Sequence, residues 1–235
     1  MMDIYEIFEK ALRDGRNSLT LSESLRLISQ YGLPVANFVL VKNSERLEEA
    51  FEKLNKPLVV KISSPNLIHK TEIGGVKLGI KSLEDLKKAY NEVISSIKCR
   101  APKARIEGVI IQEMIKGDYE VIVGGLRDPQ FGPVVAFGMG GVLVEVLKDI
   151  AFDLAPLSEK EAYNLINRIK GAVLLRGYRG SPPADLEKLV KVIVKASQLI
   201  WDFKDYIEEM DLNPIIISGA NLWVVDARFK LRKAG

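Results

Sequence analysis

Two apolar runs around a four-residue turn, Pro214 to Ile217 and Leu222 to Val225 flanking Ser218-Gly219-Ala220-Asn221, commit the end of this chain to a β-hairpin. A turn centred between Gly219 and Ala220 sets the pairing and places Asn213 opposite Asp226. Opposed residues share a face with Cβ atoms roughly 5 Å apart. Asp211 joins that face, because side chains two apart on a strand point the same way. Hard oxygen donors from Asp211, Asn213 and Asp226 then converge. Such a sparse set suits Mg²⁺, which keeps several waters and takes further ligands from nucleotide phosphates. The spacing alone is equally consistent with a plain strand start beside Pro214 and a solvated Asp226.

The rest of the chain alternates strands and helices. Ser22 to Tyr31 reads as a helix stopped by Gly32-Leu33-Pro34, Val35 to Val41 as a strand, and Ser44 as the cap of an amphipathic helix through Leu54. Pro57 to Ser63 and Gly75 to Ile80 read as strands joined by a polar loop, and Ser82 to Lys98 as a helix with Glu84 and Asp85 in its first turn. Ile106 to Ile115 is a mostly apolar strand. Tyr119 to Leu126 and Pro133 to Phe137 form an antiparallel pair around Arg127-Asp128-Pro129-Gln130, and helices follow at about 158–170 and 185–203. Antiparallel strands with helices between them predict an α+β fold of two lobes, about 22–112 and about 113–235, in one domain spanning 1–235.

With 47% hydrophobic and 28% charged residues, the chain is an ordinary globular protein able to bury a sizeable core. Its 34 basic and 31 acidic residues leave a net charge of +3, too balanced to point to nucleic acid or a membrane surface. Any anion site must therefore be local. A single cysteine and a single histidine exclude an intrachain disulfide and a zinc cluster. Without a signal-peptide pattern or an apolar run of about 18 residues, the expected location is cytoplasmic. Abundant Lys and Glu hint at a thermophilic source.

Lys61 interrupts Leu58-Val59-Val60-Lys61-Ile62, a strand otherwise built for burial, so its ammonium either snorkels to solvent or meets an anion. The following loop, Ser63 to Gly75, supplies hydroxyls, Lys70 and paired glycines that permit close backbone approach to phosphate. No P-loop or dinucleotide-binding glycine pattern is present. His69, the sole histidine, is by default a surface residue, but beside Lys70 and the glycine pair its neutral ring nitrogen could accept a phosphoryl group. Gln112-Glu113-Met114-Ile115 closes an apolar strand with a carboxylate, and Glu120 follows. Such an apolar wall with nearby carboxylates suits adenine and ribose, although strand-end solubilising charges would look the same. Phe137-Gly138-Met139-Gly140-Gly141 reads either as a phosphate-approaching backbone or as a plain turn.

In that order, these segments resemble the ATP-grasp fold, two α+β lobes with the nucleotide bound between them. They most resemble the β subunit of the ADP-forming acyl-CoA (acetyl-CoA) synthetases. The similarity runs from Leu27-Ile28-Ser29-Gln30-Tyr31-Gly32-Leu33-Pro34 through the His69-Lys70-Thr71-Glu72-Ile73-Gly74-Gly75-Val76 loop and Phe131 to Gly138. It continues to Asp211-Leu212-Asn213-Pro214 and Asp226. The related succinyl-CoA synthetase β subunit shares the Asn-Pro and Asp pair but has a glycine-arginine-glycine loop where this chain has His69-Lys70-Thr71.

The resemblance implies that Asn213 and Asp226 hold Mg²⁺ and that Lys61, Lys70, Glu113, Ile115 and Glu120 bind ATP or ADP. It further implies that His69 takes part in a phosphoryl relay, and that Asp211 steadies a phosphohistidine carried in by a CoA-binding α subunit, in an α2β2 assembly. The implied reaction is acyl-CoA + ADP + phosphate = acid + CoA + ATP. Two other classes stay open: a single-chain carboxylate ligase of the same fold, and a non-catalytic adenine-nucleotide sensor.

Overall fold

A computed structural model of the chain describes residues 3–67, 70–141 and 148–232, which fall into two compact units. One comprises Thr20–Glu23 and Ala36–Met114; the other comprises residues up to Leu19, Ser24–Val35 and Ile115 onward. The lobe boundary expected at about 22 therefore differs, since residues 24–35 cluster with the C-terminal half. The reason is pairing: Val224 donates its N–H to the Pro34 carbonyl at 2.7 Å, and Val35 bridges Val224 in parallel.

The first unit carries a four-stranded antiparallel sheet in the order β1-β4-β2-β3, formed by β1 (Phe38–Val41), β2 (Leu58–Ser63), β3 (Val76–Ile80) and β4 (Gly108–Glu113). Helices α3 (Leu47–Lys53) and α4 (Leu83–Arg100) bury Leu47, Ala50, Leu86, Val93 and Ile97 with the strands' Val60 and Ile62. Helix α4 starts as the sequence predicts, because Ser82 Oγ accepts the Asp85 N–H at 3.0 Å. Ser44 is not a cap. It opens a 3₁₀ turn, Ser44–Arg46, and α3 begins only at Leu47 without a side-chain cap; tight turns of this kind commonly precede helices. The strands expected at 35–41 and 106–115 are shorter than their apolar runs, because only 38–41 and 108–113 find ladder partners.

The second unit holds α1 (Ile4–Arg13), α2 (Leu21–Gln30, whose residues from Ser24 belong here) and a six-stranded antiparallel sheet. Its order is β10-β8-β5-β6-β7, with β9 also paired to β8. The strands are β5 (Tyr119–Asp128), β6 (Gly132–Met139), β7 (Ile150–Leu154), β8 (Ile207–Ser218), β9 (Asn221–Val224) and β10 (Ala227–Leu231). Helices α5 (Glu159–Asn167) and α6 (Leu186–Asp202) cover one face only. Gly125 marks that covered face: a Cβ there would lie 2.6 Å from Ile200 Cδ1 of α6, so a larger residue would have to displace that side chain. Val121, Val123, Val135, Phe137, Met210 and Leu212 are buried. Among the described residues no helix is long and apolar enough to cross a membrane.

Candidate functional site

The C-terminal hairpin keeps one register from its turn as far as the Glu209–Lys230 pair and shifts only beyond it. Ile215 pairs with Val224 and Ser218 with Asn221, while beyond the gap in the ladder Leu212 pairs with Ala227 and Asp211 with Arg228. Between them the Asn213 N–H donates to the Asp226 carbonyl at 3.2 Å, and the Val225 N–H to the Pro214 carbonyl at 3.2 Å. The opposition of Asn213 and Asp226 expected from the turn is therefore present. Pro214 has no N–H to return.

Exposure alternates along β8 but slips at this point, so Met210 and Leu212 face inward on one side of it and Ile215 and Ile217 on the other. The register against β5 shifts at the same place, between Val121 and Val123. Both hairpin strands bend together, which is why their mutual register survives. A run of outward-facing side chains ends there, with Asp211 and Asn213 on β8 and Asp226 and Arg228 opposite them.

Two carboxylates share this face with one arginine. Partial desolvation by crowding protein pushes the Asp211 carboxyl up from the ordinary aspartate value, and the Asp226 charge adds to the rise; Arg228 and a hydrogen bond from Asn213 oppose it. Because Asn213 serves Asp211 in this way, its carbonyl oxygen stays available as an acceptor. The donor set fits Mg²⁺: an amide oxygen and a carboxylate on one rigid hairpin, with room for water and phosphate oxygens. Among the described residues no three His, Cys, Asp or Glu side chains gather as a closed metal cage. Arg228 was not singled out from the sequence, yet the pairing that put Asn213 opposite Asp226 also puts Arg228 opposite Asp211.

Glu120 lies in the same unit, exposed at the start of β5 and paired with Ile216. The glycine segment after β6 wraps it: Gly140 donates its N–H to the Glu120 carbonyl at 2.7 Å, and a Cβ on Gly140 would meet Glu120 at 3.0 Å. The N–H of Gly140 is thus used within the fold and is not a free phosphate donor. Residues 142–147 lie outside the described residues.

The other candidates belong to the four-stranded unit. Lys61 sits mid-strand between Val76 and Ile110 at 7% exposure, so it does not snorkel. A lysine so buried needs an anionic or polar partner to remain charged. Lys70 closes the loop after β2, its carbonyl accepting the Gly75 N–H at 2.7 Å, and Gly75 in turn holds Ile62 at 2.8 Å. His69 lies outside the described residues.

Glu113 is also engaged within its own unit. Its carboxylate accepts from Asn37 Nδ2 at 3.0 Å through Oε2 and from Asn55 N and Nδ2 at 2.9 and 2.8 Å through Oε1, a clasp that fastens the end of β4 and leaves acceptor capacity on Oε2. Ile115, half-buried, follows the strand as the first residue of the C-terminal stretch of the second unit. A polar network that the sequence did not suggest anchors the other end of β2: Glu107 accepts from Ser22 Oγ at 2.9 Å and from Ser63 Oγ at 2.8 Å.

A model of the ATP-grasp domain matches residues 10–231. Over 229 residues the chain is 41% identical to the acetate–CoA ligase (ADP-forming) II subunit beta of Pyrococcus furiosus, covering 97% of each. It is 42% identical over 226 residues to acetate–CoA ligase (ADP-forming) I of Archaeoglobus fulgidus, covering 96% of this chain but 33% of that protein. The chain thus spans nearly the whole of some relatives and about a third of others. The acetyl-coenzyme A synthetase 1 of Ca. Korarchaeum cryptofilum, solved with coenzyme A and Ca-AMPCP, superposes with a TM-score of 0.94 at 43% identity over 98% of this chain and all of that one. In another structure of that enzyme, with Mg-AMPPCP and a phosphohistidine segment pointing towards the nucleotide-binding site, the TM-score is 0.85 at 40% identity over 98% of this chain and all of that one.

Proposed function

The chain belongs to the ATP-grasp family, among the β subunits of the ADP-forming acetyl-CoA synthetases; from that premise we propose that it is the nucleotide half of a cytoplasmic two-subunit enzyme making ATP from acyl-CoA, ADP and phosphate. The observation that carries the reading is the hairpin face on which Asn213 and Asp226 oppose each other beside Asp211 and Arg228. The two compact units serve as the two lobes of one ATP-grasp domain.

Asn213 and Asp226 would hold Mg²⁺ in contact with the nucleotide's phosphates. When bound, the ion neutralises phosphate charge and helps align the transferring group. Lys61, buried in a rigid strand, contributes fixed positive charge to a phosphate, and Lys70 a second cation on the loop. Glu120, exposed, and Glu113, whose Oε2 keeps acceptor capacity, supply carboxylates to adenine and ribose, and Ile115 supplies apolar surface.

A companion α subunit, CoA-binding and assembled as α2β2, brings in a phosphorylated histidine. Asp211 steadies that imidazole by accepting its N–H. The phosphorus–nitrogen bond breaks with its electron pair returning to the ring nitrogen, which leaves a neutral imidazole, and a terminal oxygen of ADP forms the new bond to phosphorus. His69 shares in the relay. Positioning and charge carry the catalysis, as in phosphoryl transfer generally.

The test is to co-express the chain with its companion and measure ATP formation from acetyl-CoA, ADP and phosphate, with His69→Ala, Asp211→Ala and Asp226→Ala beside the wild type. The reading expects activity only for the pair and a loss of about 100-fold or more in each variant. Acid-dependent ATP hydrolysis by the chain alone would favour a single-chain ligase instead. Nucleotide binding indifferent to all three substitutions, without turnover, would favour a sensor.

A further inference from the structure

On the sheet face opposite the helix over Gly125, the stretch around Leu126, Phe152 and Leu154 is uncovered, and it is apolar where solvent would ordinarily demand polar side chains. Its composition follows from register. Leu126 pairs with Val134 and Val134 with Leu154, giving one apolar row across β5, β6 and β7. In the next row Gly124 pairs with Ala136 and Ala136 with Phe152. Leu126 is 37% exposed, Phe152 52% and Leu154 51%. A Cβ on Gly124 would meet nothing closer than Ala136 Cβ at 3.5 Å, so the floor between these side chains is open. Scattered surface leucines are ordinary, but three large apolar side chains in adjacent rows of one rigid sheet make a patch of the kind that marks an interaction site.

The second row does not stop at the patch. Gly124 also pairs with Asp211, and Asp211 with Arg228, so Phe152 and Asp211 lie in one row, three strand spacings or about 14 Å apart. The first row likewise runs from Leu126 to Glu209, which is ion-paired with Lys230 at 2.5 Å. An apolar centre bounded on one side by charged pairs is the anatomy of a protein interface.

We propose that this open face, centred on Leu126, Phe152 and Leu154, is the docking surface for the companion chain's phosphohistidine-bearing segment. This rests on the function proposed above. The occupant is chosen by continuity, because the patch shares its row with the carboxylate assigned to receive the phosphohistidine. A relative solved with its phosphohistidine segment pointing towards the nucleotide-binding site supports the same occupant. Affinity from the patch would hold the segment while Asp211 orients the imidazole, which separates docking from chemistry.

The experiment uses phosphorylated companion subunit and Mg-ADP, following ATP formed per turnover as companion concentration is varied. Phe152→Ser with Leu154→Ser should raise the KM for the companion roughly tenfold or more, as loss of an aromatic anchor does at protein interfaces. Saturating rate and Mg-ADP affinity should stay at wild-type values. Leu78→Ser, at a still more exposed apolar residue of the other unit, should leave KM unchanged. An unaltered KM in the double variant overturns the docking surface while leaving the enzyme's function intact. Loss of a homodimer of this chain, with KM unaltered, overturns it in favour of a second copy. If the wild-type pair makes no ATP, the parent reading falls and the docking surface with it.

Discussion

Asp211 and Asp226 face the same side of one hairpin, and their charges oppose each other until something positive arrives. The Asp211 carboxyl sits above its ordinary 3.8, so the folded state holds its proton through a pH window in which the unfolded chain has already lost it. Stability from this group is therefore present below about pH 3.8 and declines as pH rises through the folded value. Asp211→Asn should remove that decline. At neutral pH the variant is expected to melt higher than wild type by up to about 2–4 °C, worth no more than about 1 kcal/mol because the residue is exposed and screened. The difference should vanish in acid, and phosphoryl transfer should fall sharply. Differential scanning calorimetry across pH checks the first part. Asp226→Ala should abolish the Mg²⁺ dependence of ADP binding measured by titration calorimetry, while leaving a weaker, metal-free affinity. Arg228 shows how far residue-scale reading goes: its cross-strand partner followed from the turn, but that it would temper Asp211 required knowing which neighbours crowd that carboxylate.

At the scale of elements, β2 is the strand with most to explain, since all six of its residues are buried although Lys61 and Ser63 are among them. Ser63 is satisfied by Glu107, which also takes Ser22 at the start of α2. Glu107→Ala should strand two buried hydroxyls and cost about 2 kcal/mol, read as a lower urea midpoint at unchanged slope. Rescue by Glu107→Gln should be partial, because an amide accepts fewer and weaker hydrogen bonds from hydroxyls than a carboxylate does. Lys61→Met leaves the partner of a buried lysine unmatched and should lower the urea midpoint as well as nucleotide affinity. Hairpin register and the α4 cap were legible in the chain because they depend on residues within a few positions of one another. Strand ends at 38 and 113 were not, since a strand ends where its partner does.

For the molecule as a whole, metal and nucleotide should act as one ligand. Mg-ADP at about 100 times its dissociation constant is expected to stabilise the chain by about 2.7 kcal/mol, or roughly 5–10 °C in melting temperature. Neither Mg²⁺ nor Asp226→Ala with Mg-ADP should approach that shift, which thermal melts will show directly. The sequence by itself determined the alternation of strands and helices, the pairing of Asn213 with Asp226 and the family resemblance, because local periodicity and turn chemistry carry that information over short spans. Only the tertiary structure decided that Glu113 is clasped by Asn37 and Asn55, that residues 24–35 belong with the distant C-terminal strands, and that Leu126, Phe152 and Leu154 lie uncovered in rows leading to Asp211. Those facts depend on strands brought together across long stretches of chain, and which face of a sheet a helix covers is set by packing that no local pattern encodes.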